Sequence, residues 1–251
     1  MTPTTIKIVC PSKGRADNVR TLKLIPTLVL VVPHDEAEDY RKNYPDTEVL
    51  ATPERIKGIT PTRQWILEQY AEEDVFMIDD DVTSVRRNFV FGDQEISVTD
   101  PETIHDIIET TTGIARLEGA KVFSFSKIRN PLEYNAFAPI VHTGYMNASF
   151  CGFLKGHGLS YDLAMSEGED HYMSCLTVFK HRYCLIDNRY SFITDGNFTA
   201  VGGCNGYRTR NSMLANTLYL RKKFGEVVAL KGFTKTKKSV NFGERTLKFP
   251  F

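Results

Sequence analysis

Three carboxylates in a row, Asp79, Asp80 and Asp81, follow the apolar run 75–78 in the stretch "VFMIDDDV". Adjacent like charges repel, and carboxylates at the end of a buried strand are costly to desolvate. A divalent, oxygen-seeking cation relieves both penalties. Mg²⁺ or Mn²⁺ takes one or two carboxylates and completes its shell with water and substrate phosphate oxygens. The chemistry these residues point to is a metal–diphosphate site. The competing reading is a solvated turn after a strand, because Asp is common in turns. A second acidic pair, Glu169 and Asp170 in "SEGEDHYMSC", opens an amphipathic segment. Two readings stand there as well: a carboxylate that takes up a proton, or ordinary partners for the positive end of a helix dipole.

Positioning such groups falls to the surrounding elements. "TIKIVCP" (5–11), "TLVLVVP" (27–33), "TEVLAT" (47–52) and "VFMI" (75–78) read as strands, several of them apolar throughout, as in a sheet covered on both faces. Between them "HDEAEDYRKNY" (34–44) and "TPTRQWILEQYAEED" (60–74) read as helices, the second with Thr60 as N-cap and Pro61 at its first position. This alternation predicts an α/β fold, a Rossmann-like, mostly parallel mixed sheet flanked by helices. Ligands of such sheets sit beyond the carboxyl ends of the strands, where the Asp trio lies. Further on, 84–91, 121–126 and 182–194 read as extended, and 144–156 as strand-like with glycine interruptions. Residues 100–119 (capped by Asp100), 169–181 and 210–225 read as helices. No repeat or composition break marks a linker, so one domain over 1–251 is expected.

Hydrophobic residues make up 41% of the 251 and charged ones 25%, ordinary for a globular protein, and the formal net charge is zero. A pure nucleic-acid-binding module is disfavoured, though a local basic patch is not excluded. The five cysteines, Cys10, Cys151, Cys175, Cys184 and Cys204, are odd in number and lack CxxC spacing. That argues for reduced, buried thiols rather than disulfides or zinc. The N-terminus has no signal-peptide pattern and no apolar run reaches membrane-spanning length, so a cytoplasmic protein is expected.

Strand, loop, helix, strand and then Asp-x-Asp resembles the GT-A class of nucleotide-sugar glycosyltransferases. The resemblance implies that Asp81 and Asp79 face a Mn²⁺ or Mg²⁺ ion and that Asp80 lies near the ribose or sugar. It places Pro11, Ser12 and Arg15, in "VCPSKGRADN", where such enzymes seat the nucleotide base. Arg15 reads equally as a surface residue at a helix start. "KGITPTRQWIL" resembles the Gly-Ile-x-x-x-Arg stretch of that class, making Arg63 a ligand of the diphosphate or ribose; the alternative is a solvated helix charge. Gly-Glu-Asp resembles the acceptor-side motif, so that Glu169 or Asp170 takes the acceptor proton. The late metal ligand of the class, commonly histidine, has no counterpart after His181, and Asp195 is the candidate instead. His142, His157 and His171 read as hydrogen-bonding or core residues.

Over about residues 5–228, the stretches "IVCPSKGRADNVRTL", "LVVPHDEAEDY", "GITPTRQWIL", "FMIDDDV", "EGEDHY" and "LRKKFGEVV" together resemble the TET-associated glycosyltransferases of bacteriophages. That resemblance implies transfer of a sugar from a UDP-sugar to the hydroxyl of a hydroxymethylated pyrimidine, such as 5-hydroxymethylcytosine, in phage DNA. Phage DNA arabinosyltransferases are a related possibility. Residues 1–82 then seat the nucleotide sugar and 83–251 the acceptor. Arg208, Arg210, Lys235, Lys237 and Lys238, interleaved with Phe233 and Phe242, suit phosphate contact and base stacking, or simply a solvated basic tail. Two other readings compete: a GT-A enzyme acting on a saccharide, protein, lipid or small-molecule acceptor, and a nucleotide-sugar-binding or nucleotidyl-transfer protein that moves no sugar. The first lacks a DNA requirement, and the second is weakened by the missing N-terminal glycine-rich loop. Neither membrane nor lipid partner is indicated.

Overall fold

The computed structural model describes residues 5–90, 96–126, 130–194, 210–230 and 245–249. The strands are β1 (Lys7–Pro11), β2 (Val29–Val32), β3 (Val49–Ala51), β4 (Val75–Ile78), β5 (Val82–Arg87), β6 (Ser97–Val98), β7 (Val122–Ser126), β8 (Ile140–Val141), β9 (Phe150–Phe153), β10 (Leu185–Thr194), β11 (Val228–Leu230) and β12 (Arg245–Leu247). The helices are α1 (Ala37–Asn43), α2 (Ile59–Gln69), α3 (Pro101–Glu118), α4 (Glu169–His181) and α5 (Arg210–Phe224).

Among the described residues, ten strands form one sheet in the order β3-β2-β1-β4-β9-β7-β10-β5-β6, with β8 also on β10. β1, β2, β3 and β4 run parallel, and β7 and β10 share their direction. The antiparallel partners β9, β5 and β8 make the sheet mixed. Alternation along the strands sends Ile8, Cys10, Leu30, Val32, Phe76 and Ile78 to one face, against Ile104 and Ile108 of α3. Val9, Val31 and Met77 go to the other, against Ile66 and Leu67 of α2 and Met173 of α4. Both faces are covered, which is why β2 and β4 are apolar at every position. Phe76, Phe123, Phe125, Phe150 and Phe192 interlock on the first face, with Phe125 and Phe192 centroids 4.8 Å apart. They give the strand that ends in the Asp trio a rigid bed.

Two local expectations shift. α2 starts at Ile59, with Gly58 rather than Thr60 at its N-cap. Gly58 takes φ +93°, open to glycine, and its carbonyl accepts from Thr62 N (3.2 Å) and Thr62 Oγ1 (2.9 Å), so the first turn closes earlier. Within 144–156 only Phe150–Phe153 is strand. The Asn147 side chain accepts from Ser149 N at 3.0 Å, a local turn that competes with extension. Asp100 caps α3 through Thr103 N at 2.8 Å, as read from sequence. Cys10, Cys151, Cys175 and Cys184 are buried free thiols; Cys204 lies outside the described residues. Among the described residues no helix is long and apolar enough to cross a membrane.

Candidate active site

β1 and β4 are neighbours, so the residues after them meet at one sheet edge. Backbone bonds hold the Asp trio in place. Asp79 N donates to Ser149 O (2.8 Å), Thr21 Oγ1 donates to Asp79 O (2.6 Å), and Arg20 N donates to Asp80 O (2.9 Å). The three side chains then diverge. Asp80 is buried, with Ser12 Oγ donating to one oxygen and Arg15 Nη1 to the other. Tyr40 of α1 fixes that loop through Ser12 Oγ (2.9 Å) and Arg15 N (3.1 Å), and burial pushes its phenol up to about 12. Asp81 lies 3.5 Å from Arg15, and its Oδ1 is buried with no hydrogen-bond partner. Burial first, then Asp79 and Asp80, raise its carboxyl to about 6.

Asp79 turns the other way, to Arg63. This guanidinium is buried; its Nη2 donates to Asp79 at 2.8 Å, its Nη1 to Ala148 O at 2.5 Å, and its Nε lies 3.8 Å from Glu169. Burial alone would lower its pKa, but Asp79 and Glu169 outweigh that and raise it. Arg63 thus ties the trio to the head of α4. Glu169 points inward to this bridge and is buried. Asp170 takes a bond from Tyr145 Oη on one oxygen and, on the other, from His171 N at 2.7 Å; His171 Nδ1 lies 2.7 Å from that same oxygen. Burial would raise this carboxyl, yet His171, Tyr145 and Arg245 hold it well below the usual range.

The described residues include no group of three His, Cys, Asp or Glu side chains set to hold a metal ion. The donor chemistry nonetheless fits a divalent cation: Asp81 carries an orphan buried oxygen, and Arg15 offsets only part of the effect of burial and of Asp79. These two carboxylates would hold the ion, which supplies charge neutralisation for a departing diphosphate. Nucleophilic sulfur is disfavoured, since burial pushes Cys151 up to about 12 and Cys10 well above its usual value.

The sequence-expected residues thus gather in three linked groups: Ser12, Arg15, Asp80 and Asp81; Arg63, Asp79 and Glu169; and Asp170. Pro11 ends β1, paired with Val31. Arg210 begins α5, while Asp195, Arg208, Lys235, Lys237 and Lys238 lie outside the described residues. Tyr145 has no motif around it, Thr21 lies within "IVCPSKGRADNVRTL" but had no role assigned to it, and His171 proves to be a partner of Asp170. Tyr145 lies ahead of the Asn147 turn that precedes β9, outside the strand into which its sequence reads.

The electrostatics of Asp81 carry a prediction. Its raised folded-state pKa is a stability penalty, full above about pH 6 and fading as pH falls toward the ordinary carboxylate range. Asp81→Asn should therefore raise cation-free stability by about 1–2 kcal/mol at pH 7.5, with no gain near pH 4. Mn²⁺ should raise the melting temperature of the parent but not of the variant. Equal melting curves with and without Mn²⁺ for both proteins would remove the metal site.

The sheet order, with the Asp trio at a strand end and a second acidic pair at the head of α4, is that of a GT-A fold. The sequence profile of the TET-Associated Glycosyltransferase family matches residues 6–203, and the chain belongs to that family. A segment of 82 residues, 31% of the chain, is 34% identical to the beta-glucosyl-HMC-alpha-glucosyl-transferase of Enterobacteria phage T6; it spans 29% of that protein. The fold is similar to S. aureus TarS 1-349 in complex with UDP-GlcNAc (TM-score 0.52, 11% identity, 86% of this chain and 66% of that one). It is likewise similar to glucosyl-3-phosphoglycerate synthase from Mycobacterium tuberculosis in complex with Mn²⁺, UDP and glucosyl-3-phosphoglycerate (TM-score 0.52, 13% identity, 92% and 85%).

Proposed function

We propose that the enzyme moves a sugar from a UDP-sugar to a hydroxyl carried by a hydroxymethylated pyrimidine, 5-hydroxymethylcytosine or its glycosylated form, in phage DNA. The observation that supports this is the Arg63 bridge, which joins Asp79 of the strand-end trio to Glu169 at the head of α4. Ser12 and Arg15 shape the nucleotide end, and Asp79 and Asp81 hold Mn²⁺ or Mg²⁺. Asp170 accepts the acceptor O–H proton as the oxygen bonds to the anomeric carbon. The bond to the diphosphate breaks in that step, and its electron pair leaves with UDP. The phage T6 relative supports the acceptor by its name, and the structures holding UDP-GlcNAc or UDP with Mn²⁺ support the donor. The whole chain works as one catalytic unit, its basic C-terminal residues Arg208, Lys235, Lys237 and Lys238 retaining DNA in a salt-dependent manner in the host cytoplasm.

Mass spectrometry tests this directly. Duplexes bearing cytosine, hydroxymethylcytosine or glucosylated hydroxymethylcytosine are incubated with Mn²⁺ and a panel of UDP-sugars. One added sugar on either modified duplex, and none on plain cytosine, is the expected result. Transfer to a saccharide or protein with no DNA product would overturn the acceptor.

A further inference from the structure

α5, β11 and β12 all lie beyond the family match, which ends at residue 203. They are nevertheless built against the acceptor side. Val228 of β11 and Leu220 of α5 form a buried cluster with Tyr172 and Cys175 of α4, against which Leu247 of β12 packs. The β11–β12 pairing sets Leu230 opposite Arg245, and Lys248 N donates to Val227 O at 2.8 Å. From α5, Ser212 Oγ donates to the buried Glu167 carboxylate at 2.6 Å. The loop that leads into Glu169 and Asp170 is thus clamped from the C-terminal side.

Arg245 is the charged part of that clamp. Its Nη1 donates to Thr217 Oγ1 of α5 at 3.0 Å, and its buried Nε has no hydrogen-bond partner. The rest of the guanidinium lies on Gly168, so closely that a Cβ there would overlap Nη2 and the guanidinium carbon. Gly168, at φ +78°, is the residue just before α4. A glycine at that point serves two ends: it takes the left-handed turn and admits the cation to the peptide preceding Asp170.

We propose that Arg245 is a positioning residue of the acceptor side, so that the β11–β12 strand pair carrying it is a working part of the active site. It braces the peptide that starts α4 and sets its charge beside Asp170, keeping that carboxylate ionised and aimed while Tyr145 and His171 hold its two oxygens. A planar guanidinium covers a peptide and reaches Thr217 together; a lysine supplies the charge alone. The proposal rests on the reading of Asp170 as the acceptor-side carboxylate.

The test compares full-length parent, Arg245→Gln, Arg245→Lys and Asp170→Asn. Readouts are transfer kcat, KM for hydroxymethylated duplex, UDP binding by calorimetry, and Tm. Loss of placement at a reacting group costs on the order of 10- to 100-fold in rate. Arg245→Gln should lose that much in kcat with UDP affinity kept, and Arg245→Lys should recover part of it. Parent-like kcat in Arg245→Gln, alongside an inactive Asp170→Asn, would overturn the role of Arg245 alone. Parallel loss of kcat, UDP binding and Tm with no rescue by lysine would also overturn it, in favour of a purely structural brace. Normal transfer by Asp170→Asn would sink the acceptor-side reading and this proposal with it. Should Arg245→Gln not fold, Thr217→Val removes the Nη1 partner without a change of shape. A few-fold fall in kcat at constant UDP affinity is then expected, and no change in kcat overturns the proposal.

Discussion

Asp170→Asn should lower transfer kcat by about 10²- to 10⁴-fold, the range for loss of a positioned general base, with UDP affinity unchanged. The asparagine keeps the shape of the side chain but offers only one oxygen to two donors, Tyr145 Oη and the His171 side that bonds Oδ1. With its oxygen kept on His171 N, its amide can donate to Tyr145 Oη, because a phenol oxygen also accepts; the network is preserved while the proton-accepting carboxylate is lost. Steady-state kinetics with calorimetric titration of UDP separate the two sides of the site. Equal loss of UDP binding would place Asp170 on the donor side and contradict the assignment. The pH profile of the parent sharpens the point. Asp170 is held ionised well below the usual range, so it remains charged on mild acidification, whereas Asp81 protonates first, near pH 6 without cation. The acid limb of activity should therefore move to lower pH as Mn²⁺ is raised, because the cation favours the ionised form. A limb indifferent to Mn²⁺ would point away from Asp81.

What could be read from the chain divides along physical lines. The strands before residue 82 were legible because a sheet buried on both faces needs unbroken apolar runs, as in Val29–Val32 and Val75–Ile78. Asp79, Asp80 and Asp81 stood out because three charges directly after such a run conflict with burial. Their division of labour was not legible. Which carboxylate turns to Ser12 and Arg15, which to Arg63, and which keeps one oxygen without a hydrogen bond depends on contacts 16 to 68 residues apart in sequence. The start of α2 was misplaced because Thr60-Pro61 looks like a helix start, whereas the conformation open to Gly58 let the turn close two residues sooner. Tyr145 and Arg245 escaped for a related reason. Tyr145 bonds Asp170 from the segment before β9, and Arg245 lies on Gly168 from a strand pair packed against α4 and α5, both long-range contacts with no local sequence pattern.

Arg63 is where stability and function are hardest to separate, and its replacement has the largest expected structural effect. Arg63→Ala strips the counter-charge from the buried Glu169 and from Asp79 together, and removes the donor to Ala148 O. Breaking a buried pair by deleting one partner costs about 3–5 kcal/mol, which in 251 residues lowers Tm by roughly 10 °C. Lysine should not repair it, since one ammonium cannot meet Asp79, Ala148 and Glu169 in the fork geometry of a guanidinium. The double change Arg63→Met with Glu169→Gln distinguishes the two roles. Neutralising Arg63 and Glu169 together should return part of the lost Tm, because Glu169 is no longer a buried charge without its partner, while Asp79 and the Ala148 carbonyl still lack their donor. Transfer should stay low, since nothing then aligns Asp79 with the head of α4. If thermal denaturation and kinetics instead recover together in the double variant, the bridge acts only as a brace, and alignment of the two halves must come from the backbone bond between Asp79 N and Ser149 O.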